Sequence, residues 1–75
     1  MKNKWEVFEQ TALKRAIDFS GGITNLARAV EVTPQAVHGW LTKNRVPSTR
    51  VLAIEAATEK EVTREELRPD LYPPV

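Results

Sequence analysis

The chain has 75 residues, 41% of them hydrophobic, and a net charge of +1. A chain of this length makes one domain, here residues 1–75, and its hydrophobic content is too high for a disordered protein. The sequence contains no cysteine and one histidine, which excludes disulfides and thiolate metal sites and predicts no cofactor. Since no apolar run approaches the roughly 20 residues of a membrane span and no signal peptide is visible, we expect a cytoplasmic protein that does not enter a membrane.

A first helix is predicted from about residue 4 to residue 19. Asn3 and Glu6 have the spacing of a capping box, which satisfies free backbone N–H groups at a helix start. Apolar residues then recur every three or four positions, as the buried face of a helix requires: Trp5, Phe8, Ala12, Leu13, Ala16 and Ile17. Gly21 and Gly22 should end this helix, because glycine adopts the left-handed conformation without steric cost.

Residues 23–41 have the pattern of a helix-turn-helix motif. A second helix over residues 23–30 and a third over residues 34–42 each carry apolar residues on one face. Thr33 is the predicted N-cap of the third helix, and Pro34 follows at the first helical position, where its missing N–H costs nothing. Ala27 supplies the small residue needed where the two helices cross. The apolar positions predicted to be buried are Val30, Val32, Val37, Trp40 and Leu41.

Two further helices are predicted after the motif. Ser48 should cap a fourth helix that extends to about residue 58, and Thr63 with Glu66 forms a second capping box, for a short fifth helix. The tail, residues 68–75, is too rich in proline for regular structure. Its Leu71 and Tyr72 are apolar enough to dock on the body of the domain. The pattern contains no strand, so it predicts an all-α fold of four helices plus a short fifth.

The basic residues are concentrated at the motif. Residues 28–50 contain four basic residues and one acidic residue, whereas residues 51–75 contain three basic and six acidic residues. A local basic excess beside a helix-turn-helix is typical of a surface that faces phosphates. The predicted phosphate contacts are Thr24, Asn25, Thr33, Lys43, Arg45 and Arg50. Two alternatives stay open: Thr24 and Asn25 could cap the second helix, and Arg50 could pair with Glu55. Arg28 is a weaker candidate because Glu31 could neutralise it.

The polar face of the third helix is the predicted base-reading surface. If Val37, Trp40 and Leu41 enter the core, the opposite face presents Gln35, His38, Gly39 and Thr42 to the major groove. The amide of Gln35 can pair with adenine, and the imidazole of His38 can donate to guanine. Gly39 inside a helix costs about 1 kcal/mol relative to alanine, which suggests close approach of DNA or of a neighbouring helix. An exposed His38 without a role remains the alternative.

With these residues in view, the chain resembles the Cro-like repressors of lambdoid phages, and most closely the YdaS-type antitoxins and transcriptional regulators. The resemblance covers about residues 12–73, and its most specific segments are residues 21–22, 37–41, 46–47, 51–55, 62–64 and 67–72. It implies a lambda-repressor-like, all-helical domain that represses promoters in a prophage or a toxin–antitoxin operon. Glu31 departs from the pattern, which usually has glycine there. A left-handed residue at this position would cost about 1 kcal/mol more than glycine.

Two classes of function therefore remain. The leading hypothesis is a sequence-specific repressor that binds a double-stranded DNA operator, as a homodimer at least on DNA. The alternative is an antitoxin that binds a cognate toxin through its acidic carboxy-terminal third or through Leu71 and Tyr72. An enzyme finds no support, because the serine, histidine and aspartate residues have no catalytic spacing and so small a domain has little room for a deep pocket.

Overall fold

The computed structural model describes residues 4–43 and 45–73, with side chains for residues 12–43 and 45–73. These residues form five α-helices and a short 3₁₀ turn: α1 (Lys4–Ser20), α2 (Ile23–Ala29), α3 (Pro34–Lys43), the 3₁₀ turn (Ser48–Arg50), α4 (Val51–Ala57) and α5 (Arg64–Leu67). The all-α fold is therefore confirmed, and the described ranges contain no strand. The capping box predicted for Asn3 and Glu6 and the side chains of Trp5 and Phe8 lie outside the described residues.

The glycine pair ends α1 as predicted. The N–H of Gly22 donates to the carbonyl of Ile17 at 2.9 Å, and the N–H of Gly21 donates to the carbonyl of Asp18 at 3.2 Å. These two bonds form a Schellman motif, which needs a left-handed residue just after the helix. The φ angles of Gly21 and Gly22 are 87° and 128°. A side chain at either position would be strained, so glycine fixes the place where the chain turns into α2.

The same motif, with glutamate in place of glycine, forms the turn between α2 and α3. The N–H of Val32 donates to the carbonyl of Ala27 at 2.9 Å, and that of Glu31 to the carbonyl of Arg28 at 3.3 Å. The φ angle of Glu31 is 61°. The helix-turn-helix therefore keeps its turn geometry, at a cost of about 1 kcal/mol relative to glycine.

The core lies between α1, α2, α3, α4 and α5. Its buried residues are Ala12, Leu13, Ala16, Leu26, Ala27, Val30, Val37, Trp40, Val46, Val51, Ile54, Val62 and Leu67. Val32 and Leu41, which were predicted to be buried, are only partly buried, because one lies in the turn and the other at the edge of the α3 stripe. None of the helices in residues 4–43 and 45–73 is long and apolar enough to cross a membrane.

The prediction that Ser48 caps a fourth helix is wrong. Ser48 begins the 3₁₀ turn, whose N-cap is Pro47, and its side chain makes no capping hydrogen bond. The N–H of Arg50 donates to the carbonyl of Pro47 at 3.0 Å, so the chain makes one tight turn before α4 begins at Val51. Proline, which lacks an N–H and has a fixed φ, suits the position before such a turn.

The short α5 and the first residues of the tail pack onto the body. Thr63 and Glu66 form the predicted capping box: the Thr63 hydroxyl accepts from the Glu66 N–H at 3.3 Å, and the Glu66 carboxylate accepts from the Thr63 N–H at 3.2 Å. In the tail, Tyr72 packs against the core as predicted, but Leu71 is 45% exposed. The backbone N–H groups of Leu71 and Tyr72 both donate to the carbonyl of Arg68. This turn directs the Leu71 and Tyr72 side chains differently.

Ion pairs join α5 to the rest of the domain. Glu55 is buried and accepts hydrogen bonds from the backbone N–H of Arg64 at 2.8 Å and from its guanidinium at 2.8 and 3.1 Å. The hydrogen bonds from the Arg64 guanidinium, the largest cause, hold the pKa of Glu55 below its ordinary value of 4.5. The alternative of an Arg50–Glu55 pair is therefore wrong. On the other side of α5, Arg15 pairs with Glu66.

Candidate nucleic-acid interface

Thr33 caps the start of α3, as predicted. Its hydroxyl oxygen accepts a hydrogen bond from the N–H of Ala36 at 3.2 Å, which satisfies one of the free donors of the helix. A hydroxyl has one donor and two acceptor lone pairs. The Thr33 side chain is exposed, so its O–H can still donate to a phosphate oxygen while it caps the helix.

The two faces of α3 are arranged as the sequence predicts. Val37 and Trp40 are 0% and 8% exposed, whereas Gln35 and His38 are exposed. Because residues three or four positions apart share a helix face, Gln35 and His38 point away from the core together. Within the described residues, neither side chain has a hydrogen-bond partner. Both are therefore free to bind an external group.

The other two predicted base readers are more constrained. Thr42 is exposed, but its hydroxyl donates to the carbonyl of His38 at 3.0 Å. Thr42 can therefore accept a hydrogen bond from a base, or contact a thymine methyl group, without giving up this bond. Gly39 is half-buried, and an added Cβ would meet no described heavy atom within 4 Å. Packing against a described helix therefore does not explain this glycine.

Three cations lie at the end of α3 or after it in the chain. Lys43 and Arg45 are exposed and Arg50 is half-buried. None of the three forms an ion pair with a described residue. Arg28 and Glu31 are also exposed, and the pairing predicted between them is not among the ion pairs of the described residues. These positive charges are available to an anionic partner.

Thr24 and Asn25 lie exposed in the first turn of α2. The N-cap of α2 is Gly22, and no side chain makes a capping hydrogen bond there, so the alternative that Thr24 or Asn25 caps this helix is wrong. The amide of Asn25 instead donates to the carbonyl of Gly21 at 3.4 Å. Thr24 has no described hydrogen-bond partner and can donate to a phosphate oxygen.

Sequence reasoning missed one residue that contacts the loop after α3, Arg68. Its Nη1 donates to the carbonyl of Val46 at 2.8 Å, while its Nε and Nη2 donate to the carboxylate of Asp70 at 2.9 and 2.7 Å. Hydrogen bonds from Arg68, the largest cause, lower the pKa of Asp70, and the charge of Arg45 lowers it further. Only the segment of residues 67–72 noted in the family resemblance could have drawn attention to Arg68.

Comparison with known proteins shows the family of the chain. A sequence profile of the family described as "Bacterial toxin YdaS" matches residues 13–75. The chain is 42% identical over 64 residues to a protein of Escherichia coli (strain K12) named "Putative transcriptional regulator YdaS". That alignment covers 84% of this chain and 65% of the relative, so the chain spans less than two thirds of the relative's length. No solved structure matches the chain significantly. Since the matched residues include all of α2, α3, α4 and α5, the chain belongs to the YdaS family.

Proposed function

We propose that this protein is a sequence-specific, DNA-binding transcriptional regulator, a Cro-like prophage repressor that places α3 in the major groove of an operator. One observation carries the proposal: the exposed face of α3 presents Gln35 and His38 without described partners, and Lys43 and Arg45 follow it without ion pairs. The relative named as a transcriptional regulator supports the same conclusion. A regulator of this kind acts in the cytoplasm, where bacterial DNA lies.

The four residues on the outer face of α3 would read the bases. The Gln35 side-chain amide can make a paired contact with adenine, in which its N–H donates to N7 and its oxygen accepts from the N6 amino group. The His38 imidazole can donate to N7 or O6 of guanine. Gly39 allows the backbone of α3 to approach the base edges closely, and Thr42 accepts from a base amino group.

Phosphate contacts would hold α3 in the groove. Lys43 at the end of α3, and Arg45 and Arg50 after it in the chain, supply positive charge, and the Thr33 hydroxyl supplies a donor at the start of the helix. Thr24 and Asn25 supply polar groups from α2. Such contacts fix the register of a protein on DNA without reading its sequence, and they release counterions, which makes the affinity depend on salt.

Two copies of the chain would bind one operator. A single recognition helix contacts only a few base pairs, so useful affinity for an operator needs two half-sites about 34 Å apart, one for each protomer. We therefore propose a weak homodimer that DNA strengthens. Measuring the mass of the free and the bound protein by size exclusion tests this, since one bound protomer at saturating protein contradicts it.

Selection of bound sites from random double-stranded DNA tests the proposed function. The wild-type protein should enrich one motif with two-fold or repeated half-sites, and Gln35→Ala should relax the preference at one base pair in each half-site. Lys43→Ala is the matched control, because it should weaken binding and leave the motif unchanged. If the wild-type protein enriches no motif at all, the proposal is wrong.

A second candidate function is binding of another protein, as in an antitoxin that binds a toxin through the carboxy-terminal third. Leu71 favours it, because this large apolar side chain is 45% exposed. Deleting the tail cannot test it, since Arg68 and Pro69 are buried and their loss would damage the fold. The family description names a toxin, so growth of a host expressing each variant is informative. An effect on growth that needs Gln35 and not Leu71 indicates DNA binding, and the reverse indicates a protein partner.

A further inference from the structure

We propose that Arg68 is a positioning residue for DNA binding, which acts through the loop after α3 (residues 45–47) and does not itself contact DNA. The inference rests on the proposed function. Arg68 lies in the tail, 22 residues beyond Val46 in sequence, yet its guanidinium reaches the backbone of that loop. The loop carries Arg45, one of the proposed phosphate contacts.

The guanidinium of Arg68 is held in one orientation. Its Nε and Nη2 donate to both oxygens of Asp70, and because the group is planar this paired contact fixes where the remaining N–H groups point. Nη1 then donates to the carbonyl of Val46 at 2.8 Å. The Arg68 side chain is 9% exposed, so water competes little for these bonds. The Asp70 carboxylate thus orients the Arg68 guanidinium, which in turn binds the backbone carbonyl of Val46.

The loop backbone is therefore held from two directions. The N–H of Arg45 donates to the carbonyl of Trp40 in α3 at 2.9 Å, and the next residue is held by Arg68 from the tail. A cation on an ordered backbone loses less conformational freedom when it binds a phosphate than one on a loose loop. Arg68 raises DNA affinity in this way, by ordering the segment that presents Arg45.

The Arg68 charge itself contributes little to the attraction of DNA. It is paired with Asp70 and lies mostly inside the protein, whereas the Arg45 side chain is exposed. A variant that keeps the positive charge at position 68 but loses the planar guanidinium separates the effect of charge from the effect of ordering the loop. Arg68→Lys is such a variant, because an ammonium group cannot make the paired contact with Asp70 and hold Val46 in the same planar arrangement.

A double-mutant cycle tests the inference. Affinities of the wild type, Arg68→Lys, Arg45→Ala and the double variant are measured by titration with the DNA selected by the wild type and with scrambled DNA, at several salt concentrations. Arg68→Lys should weaken binding to both DNAs by about 2- to 10-fold and lower the slope of log affinity against log salt by up to about 0.9. The double variant should bind no more weakly than Arg45→Ala, within a factor of about two.

Arg15→Lys is the matched control. Arg15 also pairs with a carboxylate, Glu66, and also donates to a backbone carbonyl, that of Glu61, but it joins α1 to α5. The same substitution there should leave DNA affinity and salt slope unchanged. In the free protein, hydrogen exchange of the Arg45 amide should quicken in Arg68→Lys and not in Arg15→Lys, because only the first variant releases the loop.

If Arg68→Lys does not fold, Asp70→Asn is used in its place. Removing a negative charge near Arg45 would by itself strengthen DNA binding, so weaker binding that is again non-additive with Arg45→Ala supports the positioning role. Additive losses, or an unchanged salt slope for a folded variant, overturn the role of Arg68 and leave the proposed function intact. A wild-type protein that does not bind DNA overturns both.

Discussion

Gly39 gives a prediction in which stability and DNA binding change in opposite directions. It is an interior residue of α3, and an added Cβ would meet no described heavy atom within 4 Å. Gly39→Ala therefore meets no steric cost in the described part of the protein and gains helix propensity, worth about 0.5 to 1 kcal/mol. For a domain of this size, that raises the melting temperature by about 2 to 8 °C.

On DNA the same methyl group would lie between α3 and the base edges. An extra methyl group in a packed contact costs about 1 to 3 kcal/mol, so the affinity for the selected operator should fall by a factor of about 5 to 150. The assay pairs thermal denaturation with DNA titration. Gly22→Ala is the control, because a φ of 128° strains any side chain and should lower the melting temperature. A Gly39→Ala protein that is more stable and binds DNA normally refutes the close approach, and one that is less stable refutes the helix register.

Three other predictions concern the fold and its response to acid. Trp40→Ala should destabilise the domain by about 3 to 5 kcal/mol, enough to unfold it; near-normal melting would show that Trp40 is not part of the core. Hydrogen bonds from Arg64 lower the pKa of Glu55 in the folded state, so the unfolded state binds more protons in acid. The stabilisation that this carboxylate contributes should be complete at pH values well above 4.5 and should be lost as the pH falls below that value. Glu55→Gln should lose most of this acid sensitivity, and an unchanged acid profile would contradict it. Arg64→Ala should destabilise more than Arg15→Ala, because it leaves the buried Glu55 carboxylate unpaired; equal melting temperatures would show that the pair is not needed.

The sequence predicted the features that depend on neighbouring residues. The glycine pair, the Thr33 cap and the capping box of Thr63 and Glu66 each act within a few positions, so propensity and spacing are sufficient to locate them. The buried face of α3 was predicted for a related reason, since a helical period of 3.6 leaves one register that buries both Val37 and Trp40.

The features that the sequence could not predict depend mainly on which residues, distant in sequence, come into contact in the fold. Ser48 has the residue type of an N-cap, but Pro47 before it makes a 3₁₀ turn instead. Glu55 pairs with Arg64 and not with Arg50, and Arg68 reaches Val46 across 22 positions. Many charge pairs are compatible with one sequence, and only the packing of α4, α5 and the tail selects among them.

The central claim is that the exposed face of α3 reads bases while the cations after it hold phosphates. Titration of Gln35→Ala and Lys43→Ala against operator and scrambled DNA, at several salt concentrations, tests it most directly. Gln35→Ala should lose about 1 to 3 kcal/mol on the operator and almost nothing on scrambled DNA. Lys43→Ala should weaken both DNAs alike and lower the salt slope by about 0.9. Equal losses on both DNAs for Gln35→Ala, or an unchanged slope for Lys43→Ala, would contradict the claim.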